Sequence, residues 1–504
     1  MTTPLLIVAA LRSEYAALLG PGPDAVLERC GMGQARVRRW LPRLPELDPA
    51  VIAVAGVAGA LDPALRAGDV VVASEVRDAK GPVPLPAAAP LVAELRRRGL
   101  RVRTGPVVTI DHIATDRAER ERLARTGAIA VDMESALIAR AARELPGQVP
   151  VAVVRVVVDT VDTPIARLRT VPAGAKALAN LRKVGTPLRS WAGLAGPRQV
   201  LLAGPRSFCA GVERAIDIVE SALRRYAHPI YVRRQIVHNA HVVEDLQRRG
   251  VVFVDELDEV PDDTTVVFSA HGVAPAVREE AARRRLNVID ATCPLVAKVH
   301  TEARRFVGRG QQVLLVGHAG HDEVEGTLGQ VPGRITLVQN AAEAETVEVD
   351  DADQVAYVLQ TTLGIDDAAA TVATLRRRFP TIAASPTDDI CYATTNRQRA
   401  VTAMVPDCDV LLVIGSGNSS NSRRLVEVAE ALGTPAYLVE DATDVLPKWL
   451  AEARTVGITA GASAPAHLVD ELVATLRALG PIDVHERVVA TEDLTFSLPK
   501  GVAG

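Results

Sequence analysis

The segment PRSFCAGVERAI, residues 205–216, is decisive for the fold, because it places a cysteine between a tight turn and a helix. After Cys209, apolar residues recur every three or four positions, a spacing that predicts a helix over Ala210–Arg225. The short apolar run Val200–Ala203 before the turn is typical of a buried strand. A strand, a cysteine and a helix therefore follow one another directly.

The same order recurs twice further along the chain. Cys293 lies in DATCPLVAKVH, between a predicted strand that ends near Asp290 and a helix with Pro294 at its start. Cys391 lies in TDDICYATTNRQ, also ahead of a predicted helix. Free N–H groups and the helix dipole at such positions favour a thiolate. The separations, 84 residues (293 − 209) and 98 residues (391 − 293), match no zinc-finger or ferredoxin spacing.

Two interpretations of these cysteines are open on the residues alone. Cysteine is among the most buried residue types, so three inert core thiols are the simpler interpretation. The repeated context favours the other, in which three thiolates converge on one soft metal centre with an open coordination position. Cys408, in VPDCDVLL, lacks this context and is assigned to the edge of the core.

Short apolar runs that alternate with amphipathic helices predict an α/β protein, with parallel strands that are buried on both faces. The predicted strands are Pro4–Ala10, Val51–Ala55, Asp69–Val76, Val151–Val158, Val200–Ala203, Val251–Val254, Val266–Ser269, Val313–Val316, Val355–Leu359 and Val410–Ile414.

The chain of 504 residues is long enough for two to four domains, and one boundary is visible. We predict a first domain over residues 1–184, which ends with a helix near Ala173–Lys183, and a second over residues 199–485. Residues 185–198 between them are predicted to be a linker, because Pro187 and Pro197 would interrupt any regular element. Residues 486–504 are predicted to be a loosely held tail.

Composition excludes several classes of protein. Apolar residues make up 48% and charged residues 23%, which excludes disordered and fibrous chains. The net charge of −4 gives no overall attraction to nucleic acid. The longest apolar run, Val51–Leu61, is too short for a membrane span, and the first residues contain no signal peptide. Five scattered cysteines make no disulfide framework, so we expect a soluble, cytoplasmic protein.

Polar side chains follow several of the strand-like runs in the second domain. His238, His271 and His321 each come shortly after such a run, where open α/β sheets bind ligands. The loop GSGNSSNS, residues 415–422, lies between a predicted strand and a predicted helix over Arg423–Leu432. Its small residues allow backbone N–H groups and hydroxyls to surround phosphate oxygens. Each of these signals is weak alone, since isolated histidines and Ser/Asn/Gly turns are usually structural.

Taken together, the segments between residues 199 and 479 resemble the 4-hydroxy-3-methylbut-2-enyl diphosphate reductase (LytB/IspH) family. In order they are PRSFCAGVERAI, VHNAHVV, FSAHGV, DATCPLVAKVH, GHAGHDEVEGT, LQTTLGIDD, DDICYATTNRQ, GSGNSSNS and TAGASAP. The resemblance implies a trefoil of three α/β lobes around a [4Fe–4S] cluster held by Cys209, Cys293 and Cys391. It also implies the reduction of an allylic diphosphate to isopentenyl and dimethylallyl diphosphate, with ferredoxin or flavodoxin as electron donor.

The resemblance also implies a role for each polar residue of the site. Glu323 would relay the proton, and Thr361 would contact the alcohol of the substrate. The diphosphate would be surrounded by His238, His271, His321, Ser419, Ser420, Asn421 and Ser463. Gly417, where relatives often have Lys, is a departure at the loop surface. Two alternatives for this domain are an iron–sulfur sensor that has lost the chemistry and a zinc hydrolase that uses the same thiolates.

Residues 1–165 contain a second set of motifs, each of which is ordinary when taken alone. Glu14 follows the first strand, and GVAGAL, residues 56–61, follows the second. AVDMESALIARAA, residues 130–142, is predicted to open a helix, and a strand ends at Asp159. In this order they resemble the superfamily of purine nucleoside phosphorylases and methylthioadenosine/adenosylhomocysteine nucleosidases.

On that resemblance Glu134 would bind the ribose hydroxyls and Met133 would pack under the sugar. Asp159 would protonate purine N7, and Glu14 would position the attacking water or the ribose. Val57 stands where a Ser or Thr often contacts the nucleophile, which leaves water and phosphate both open as the attacking group. A hopanoid-associated phosphorylase and a degenerate domain kept for dimerisation are two further interpretations of this domain.

Overall fold

The computed structural model of the chain describes residues 3–20, 25–161, 170–387, 389–499 and 502. The chain forms two compact units. The first comprises Met1–Val200, Asp441–Val456 and Asp470–Val484, and the second comprises Leu201–Glu440, Gly457–Val469 and His485–Gly504. Within the described ranges, no helix combines the length and the apolar character that crossing a membrane requires. The predicted domain limits at residues 184 and 199 stay a prediction.

The first unit is built on a mixed sheet of eight strands, which confirms the α/β class for this part of the chain. Its order is β2-β1-β3-β7-β6-β4-β5, and β8 pairs with β3 and β4. The strands are β1 Thr3–Ala9, β2 Ala25–Arg29, β3 Pro49–Ala60, β4 Val70–Asp78, β5 Gly81–Pro84, β6 Val102–Thr109, β7 Ala130–Asp132 and β8 Val151–Asp159. The helices are α1 Arg12–Leu18, α2 Gln34–Trp40, α3 Pro90–Arg97, α4 Arg117–Ala124, α5 Ser135–Ala142, α6 Thr170–Arg182 and α7 Gly185–Ala192.

Two predictions for the first unit were wrong. The predicted helix over residues 130–142 begins only at Ser135, because residues 130–132 form β7, which pairs with β3 and β6. The predicted linker contains helix α7, with Pro187 as its third residue. Proline is tolerated there because the first N–H groups of a helix have no partner within it. Trp191 of the same helix is fully buried, and its Nε1 donates to the carbonyl of Ala87 at 2.6 Å.

The remaining strands form three smaller sheets. Two of them are parallel, with the orders β11-β10-β12-β13 and β15-β14-β16; the third has the order β18-β17-β19-β9-β20, and β17 and β18 pair in parallel. The strands are β9 Arg198–Gly204, β10 Ile230–Arg233, β11 Val251–Val254, β12 Thr265–Phe268, β13 Asn287–Asp290, β14 Gln312–Val316, β15 Ile335–Val338, β16 Val355–Leu359, β17 Val410–Ile414, β18 Ala436–Val439, β19 Thr455–Ala460 and β20 Ile482–Val488.

Eleven helices accompany these sheets in the described part of the chain. They are α8 Ala210–Arg225, α9 Ala240–Arg248, α10 Pro275–Arg283, α11 Pro294–Gly308, α12 Asp322–Leu328, α13 Ala341–Thr346, α14 Ile365–Arg378, α15 Tyr392–Met404, α16 Ser420–Ala431, α17 Pro447–Leu450 and α18 Ala466–Leu479. The structure confirms the ten predicted strands and the helix Ala210–Arg225. Helix α16 begins at Ser420, three residues before its predicted start.

The parallel sheets bring the polar residues of the sequence to corresponding places. Parallel strands present their carboxyl ends at one edge of a sheet, and loops there build ligand sites. Eight of these residues lie in loops that directly follow a strand. They are Cys209 after β9, His238 after β10, His271 after β12, Cys293 after β13, His321 after β14, Thr361 after β16, Ser419 after β17 and Ser463 after β19. The fold thereby explains why residues from eight separate segments meet in one site.

Candidate functional site

Cys209, Cys293 and Cys391 line a single cavity of the second unit, and all three are free thiols. Each occupies the N-cap position of its helix, α8, α11 and α15 respectively. Gly211 lies against two of the sulfurs, since a Cβ on it would come within 2.7 Å of Cys293 Sγ and 3.8 Å of Cys209 Sγ. A glycine is therefore required beside the thiols.

The chemistry of the donor set fits an iron–sulfur cluster. Three thiols line one cavity, and thiolates are the ligands that such clusters use. Among the described residues the three sulfurs do not all lie within 4.8 Å of one another. A single tetrahedral zinc, with Zn–S bonds of about 2.3 Å, would draw its ligand sulfurs to roughly 4 Å apart.

Burial dominates the acidity of two of these thiols. It raises the pKa of Cys293 to about 12 and that of Cys391 to about 11, with the neighbouring cysteines adding to the effect. Backbone N–H groups at the helix N-termini lower both pKa values, in the predicted direction, but burial outweighs them. A bound metal centre would have to displace their protons.

Three histidines form a cluster beside the thiols. The rings of His238 and His271 are stacked with centroids 4.1 Å apart, and His321 meets them edge-on at 5.3 and 5.6 Å. Burial lowers the pKa of all three, that of His321 to about 4. The rings are therefore neutral at pH 7, and each offers one N–H donor. The buried Nε2 of His271 has no partner among the described residues.

The serine and asparagine side chains lie at the N-terminus of α16. The hydroxyl oxygens of Ser419 and Ser463 are 3.4 Å apart, and the Ser463 hydroxyl donates to the carbonyl of His238 at 2.9 Å. Ser420 and Asn421 are buried beside them and line the same cavity as the thiols. Both polar atoms of the Asn421 amide lack a partner in the part of the chain that the structure describes. Buried amides without partners are costly, so this position indicates a missing polar ligand.

Glu323 and Thr361 form a closed pair at the other side of the cavity. The backbone N–H of Thr361 donates to Glu323 Oε1 at 2.7 Å, and its hydroxyl donates to Oε2 at 2.9 Å. Full burial raises the pKa of Glu323 to about 7, against the opposing effect of these hydrogen bonds. The carbonyl of Thr361 accepts from the N–H of Cys391 at 3.0 Å. The acid is thus held next to the thiol cavity and carries a proton near neutral pH.

The predicted loosely held tail is instead packed into the second unit, so that prediction was wrong. Phe496 lines the thiol cavity, and Val502 is 3% exposed within an apolar core. The carbonyl of Ser497 accepts from Arg214 Nε of α8 at 3.0 Å. Apolar side chains at Phe496 and Val502 hold the tail by burial. Residues 500, 501, 503 and 504 lie outside the described part of the chain.

A buried ion pair connects the tail to the loop that carries Cys209. Arg397 of α15 is fully buried and pairs with Glu492 of the tail at 3.1 Å. The same guanidinium donates to the carbonyls of Ser207 at 2.6 Å and Phe208 at 3.3 Å. Since Cys391 is the N-cap residue of α15, this one side chain fixes two of the three cysteine segments relative to each other.

The first unit contains a separate cavity that brings together Glu14, Met133, Glu134 and Asp159. Glu14 is 1% exposed and accepts hydrogen bonds from the N–H groups of Ala10, Leu11 and Val57 at 2.9, 2.8 and 2.7 Å. Val57 has no donor in its side chain, and its backbone N–H is directed at Glu14.

Glu134 lies in the turn between β7 and α5. Its Oε1 accepts from the N–H of Gly33 at 2.8 Å, and Arg155 lies 3.5 Å from Oε2. Burial raises the pKa of Glu134 to about 7 although Arg155 opposes the shift. Arg155 also pairs with Asp132 at 2.6 Å. Asp132 and Arg155 were not predicted as site residues, although an arginine within the apolar run of β8 is a visible signal.

Asp159 contacts a cation that was not predicted from the sequence pattern. The buried guanidinium of Arg120, on α4, donates to the carboxylate of Asp159 and to the carbonyl of Ala114 at 2.8 Å. A guanidinium at hydrogen-bond distance favours the ionised carboxylate. Arg120 belongs to the charged segment RAERER, in which nothing distinguishes it from its solvent-exposed neighbours.

Arg234 and Asp322 were likewise missed in the second unit. Arg234, after β10, pairs with Asp322 and, at 2.7 Å, with Glu325, both on α12. Asp322 Oδ2 lies 3.9 Å from Nε2 of His238. This network joins the loop of His238 to the helix that carries Glu323.

Comparison with known proteins finds two family models that match different parts of the chain. Residues 200–477 match the model of the LytB protein family, and residues 12–186 match that of the Phosphorylase superfamily. The 4-hydroxy-3-methylbut-2-enyl diphosphate reductase 2 of Mycobacterium bovis is 56% identical over 311 residues, which are 61% of this chain and 94% of the relative.

Two further relatives cover the same part of the chain. A 4-hydroxy-3-methylbut-2-enyl diphosphate reductase of Azoarcus sp. is 57% identical over 302 residues, 60% of this chain and 97% of the relative. The solved structure of an E-1-hydroxy-2-methyl-but-2-enyl-4-diphosphate reductase from Plasmodium falciparum matches with a TM-score of 0.59 and 35% identity. It covers 61% of this chain and 97% of its own.

Replacement of Glu492 by alanine tests the ion pair that holds the tail. Glu492→Ala leaves the fully buried Arg397 without its carboxylate, so we expect a loss of roughly 3 kcal/mol in unfolding free energy. Glu486→Ala in the same segment removes a half-exposed carboxylate that pairs with Arg206, and we expect a loss below about 1 kcal/mol. Denaturant unfolding of the metal-free protein measures both. Equal losses would contradict the structural role of the tail.

Proposed function

The chain belongs to the LytB protein family, and from this premise we propose that its second domain reduces 4-hydroxy-3-methylbut-2-enyl diphosphate to isopentenyl and dimethylallyl diphosphate. The observation that carries the proposal is one cavity lined by three free thiols, three neutral histidines and the Glu323–Thr361 pair. We propose domain limits of 1–184 and 199–485, the second including the matched residues 200–477.

Cys209, Cys293 and Cys391 are the proposed ligands of a [4Fe–4S] cluster. When bound, such a cluster supplies electrons one at a time and leaves an iron position open to the hydroxyl of the substrate. The chain supports it with the glycine at 211, which makes room beside two sulfurs, and with Phe496, which lines the cavity. Ferredoxin or flavodoxin is the proposed electron donor, and the cytoplasm the proposed location, which suits five free thiols.

The histidines and the α16 loop bind the diphosphate in this proposal. Neutral imidazoles donate through N–H without the repulsion that three buried cations would create. The unpartnered amide of Asn421 and Nε2 of His271 would gain acceptors from phosphate oxygens. Ser419, Ser420 and Ser463 add hydroxyl donors, and the N–H groups at the start of α16 favour negative charge.

Glu323 supplies the proton that turns the leaving hydroxyl into water. With a pKa of about 7 it holds this proton at neutral pH, and it lines the cavity together with Thr361, which is bonded to it. The Thr361 hydroxyl both accepts and donates, so it can contact the substrate alcohol while it stays bonded to Glu323. The whole reaction consumes two electrons and two protons. One proton leaves with the hydroxyl as water, and the other forms the C–H bond that replaces the C–O bond.

The first domain, which the model of the Phosphorylase superfamily matches, is proposed to break the bond between ribose and base in a purine nucleoside. Glu134 binds the ribose hydroxyls, Met133 packs under the sugar and Glu14 positions the nucleophile. Asp159 protonates N7 of the leaving base in this proposal. The buried guanidinium of Arg120 donates to the carboxyl group of Asp159 and fixes its position.

Glu323→Gln tests the proposed reductase. The amide keeps the size of the side chain but cannot deliver a proton, so we expect the iron content to stay unchanged and kcat to fall by a factor of about 100 or more. The matched control is Glu325→Gln, two residues away on the half-exposed side of α12. Anaerobic assay of the allylic diphosphate measures both variants. Full activity of Glu323→Gln would remove this residue from the mechanism.

The pH dependence of kcat provides a second test. As the pH rises through about 7, Glu323 loses its proton, so turnover should fall toward a tenfold decrease per pH unit. The three histidines have lowered pKa values and remain neutral over this range, so they add no opposing change. Turnover is measured between about pH 6 and 9 with an electron donor of pH-independent potential. A flat or rising profile would contradict the assignment.

A further inference from the structure

An open groove of about 900 Å³ in the first unit has an unusual charge. Five arginines line it, and no acidic residue does. They are Arg12, Arg29, Arg36, Arg39 and Arg43. The whole chain has a net charge of −4, so this concentration of positive charge is local.

Most of these charges have no counter-ion within the protein. Arg43 pairs with Glu28 at 3.1 Å. The other four guanidinium groups form no ion pair with any residue that the structure describes. Like charges held together repel each other, and a concave wall of one sign attracts ligands of the opposite sign. The groove therefore favours an anion.

The groove adjoins the proposed nucleoside cavity. Ala10, Leu11 and Met32 line both spaces, whereas Asp159 and Arg120 line only the cavity. Met32 precedes Gly33, whose N–H holds Glu134, the proposed ligand of the ribose hydroxyls. The groove therefore meets the cavity beside the ribose and away from the residues proposed to meet the base.

Arg36 is packed at this junction. Its side chain lies against the backbone of Gly31, where an added Cβ would come within 2.8 Å of Arg36 Cδ. Gly31 has a φ of +82°, a conformation that glycine adopts without strain. The turn of Gly31, Met32 and Gly33 thus places one guanidinium stem next to the loop that holds Glu134.

We propose that this groove binds a phosphate group on the 5′ carbon of the nucleoside, so that the first domain acts on nucleoside phosphates. The inference rests on the proposed nucleoside cleavage. With the 2′ and 3′ hydroxyls at Glu134 and the base toward Asp159, the 5′ substituent is the part of the ribose that remains to enter the groove. Arginine forms paired hydrogen bonds with phosphate oxygens, which gives it both strength and orientation.

The phosphate group takes no part in the bond changes. In the hydrolytic reaction the oxygen of water bonds to C1′, and the bond from C1′ to the base nitrogen breaks with its electron pair remaining on the base. The proton that water loses is taken up by the base. The 5′ phosphate stays on the sugar and contributes binding energy alone.

The experiment compares adenine release from adenosine 5′-monophosphate and from adenosine by the full chain. We expect kcat/KM to be about 100-fold higher for the phosphorylated substrate. Arg36→Gln with Arg39→Gln should reduce this ratio to near one, and Arg12→Gln, on α1, should reduce it independently. Arg38→Gln is the matched control, because Arg38 lies on the same helix, bonds to Gln34 and does not line the groove. Added salt should weaken the binding of adenosine 5′-monophosphate more than the binding of adenosine.

Calorimetric binding separates failure of this inference from failure of the proposed reaction. If neither substrate releases adenine but adenosine 5′-monophosphate binds more tightly than adenosine, and the arginine variants remove the difference, the groove stands and the proposed reaction fails. Equal binding or equal kcat/KM for the two ligands would overturn the inference. It would also be overturned if the variants raised only the KM for added inorganic phosphate, or changed only the oligomeric state.

Discussion

The convergence of three thiols on one cavity is the constraint on which the rest of the second domain depends. Burial raises the pKa of Cys293 to about 12 and that of Cys391 to about 11. These two thiols become thiolates at neutral pH only where a positive metal centre displaces their protons. Three sheets must bring their cysteine segments together for such a centre to form, and Arg397 joins two of those segments through backbone carbonyls. The tail, through Glu492, neutralises that arginine. Residues far from the cavity therefore help to determine its geometry.

The same burial sets the protonation of the neighbouring groups. It raises the pKa of Glu323 toward neutrality and lowers those of the histidines, so the cavity combines a proton-bearing acid with neutral N–H donors. The proposed protonation of a leaving hydroxyl and the proposed binding of a diphosphate require these states. In the first domain the buried carboxyl group of Asp159 is instead paired with a cation of the protein itself, the guanidinium of Arg120.

Sequence patterns were sufficient to predict the strands and the convergence of the site residues. The ten predicted strands are confirmed because a short run of apolar residues reflects a strand that is buried on both faces, as in Val355–Leu359. The residues of the LytB motifs line one cavity because parallel strands end at one edge. What was missed depends on long-range pairs. Arg397 meets Ser207 across 190 residues, and nothing local marks either residue. Pro187 was wrongly predicted to interrupt any regular element, because a proline is tolerated in the first turn of a helix and Pro187 lies there in α7.

The most direct test is to count iron and acid-labile sulfide in anaerobically purified protein and in cysteine variants. A [4Fe–4S] cluster on these thiols requires about four irons and four sulfides per chain. Cys209→Ser, Cys293→Ser and Cys391→Ser should each lose most of this content, while Cys408→Ser, at the edge of a core, should keep it. Full iron in a variant of any of the three cavity cysteines, or one zinc ion in place of the iron, would exclude a cluster held by these three residues.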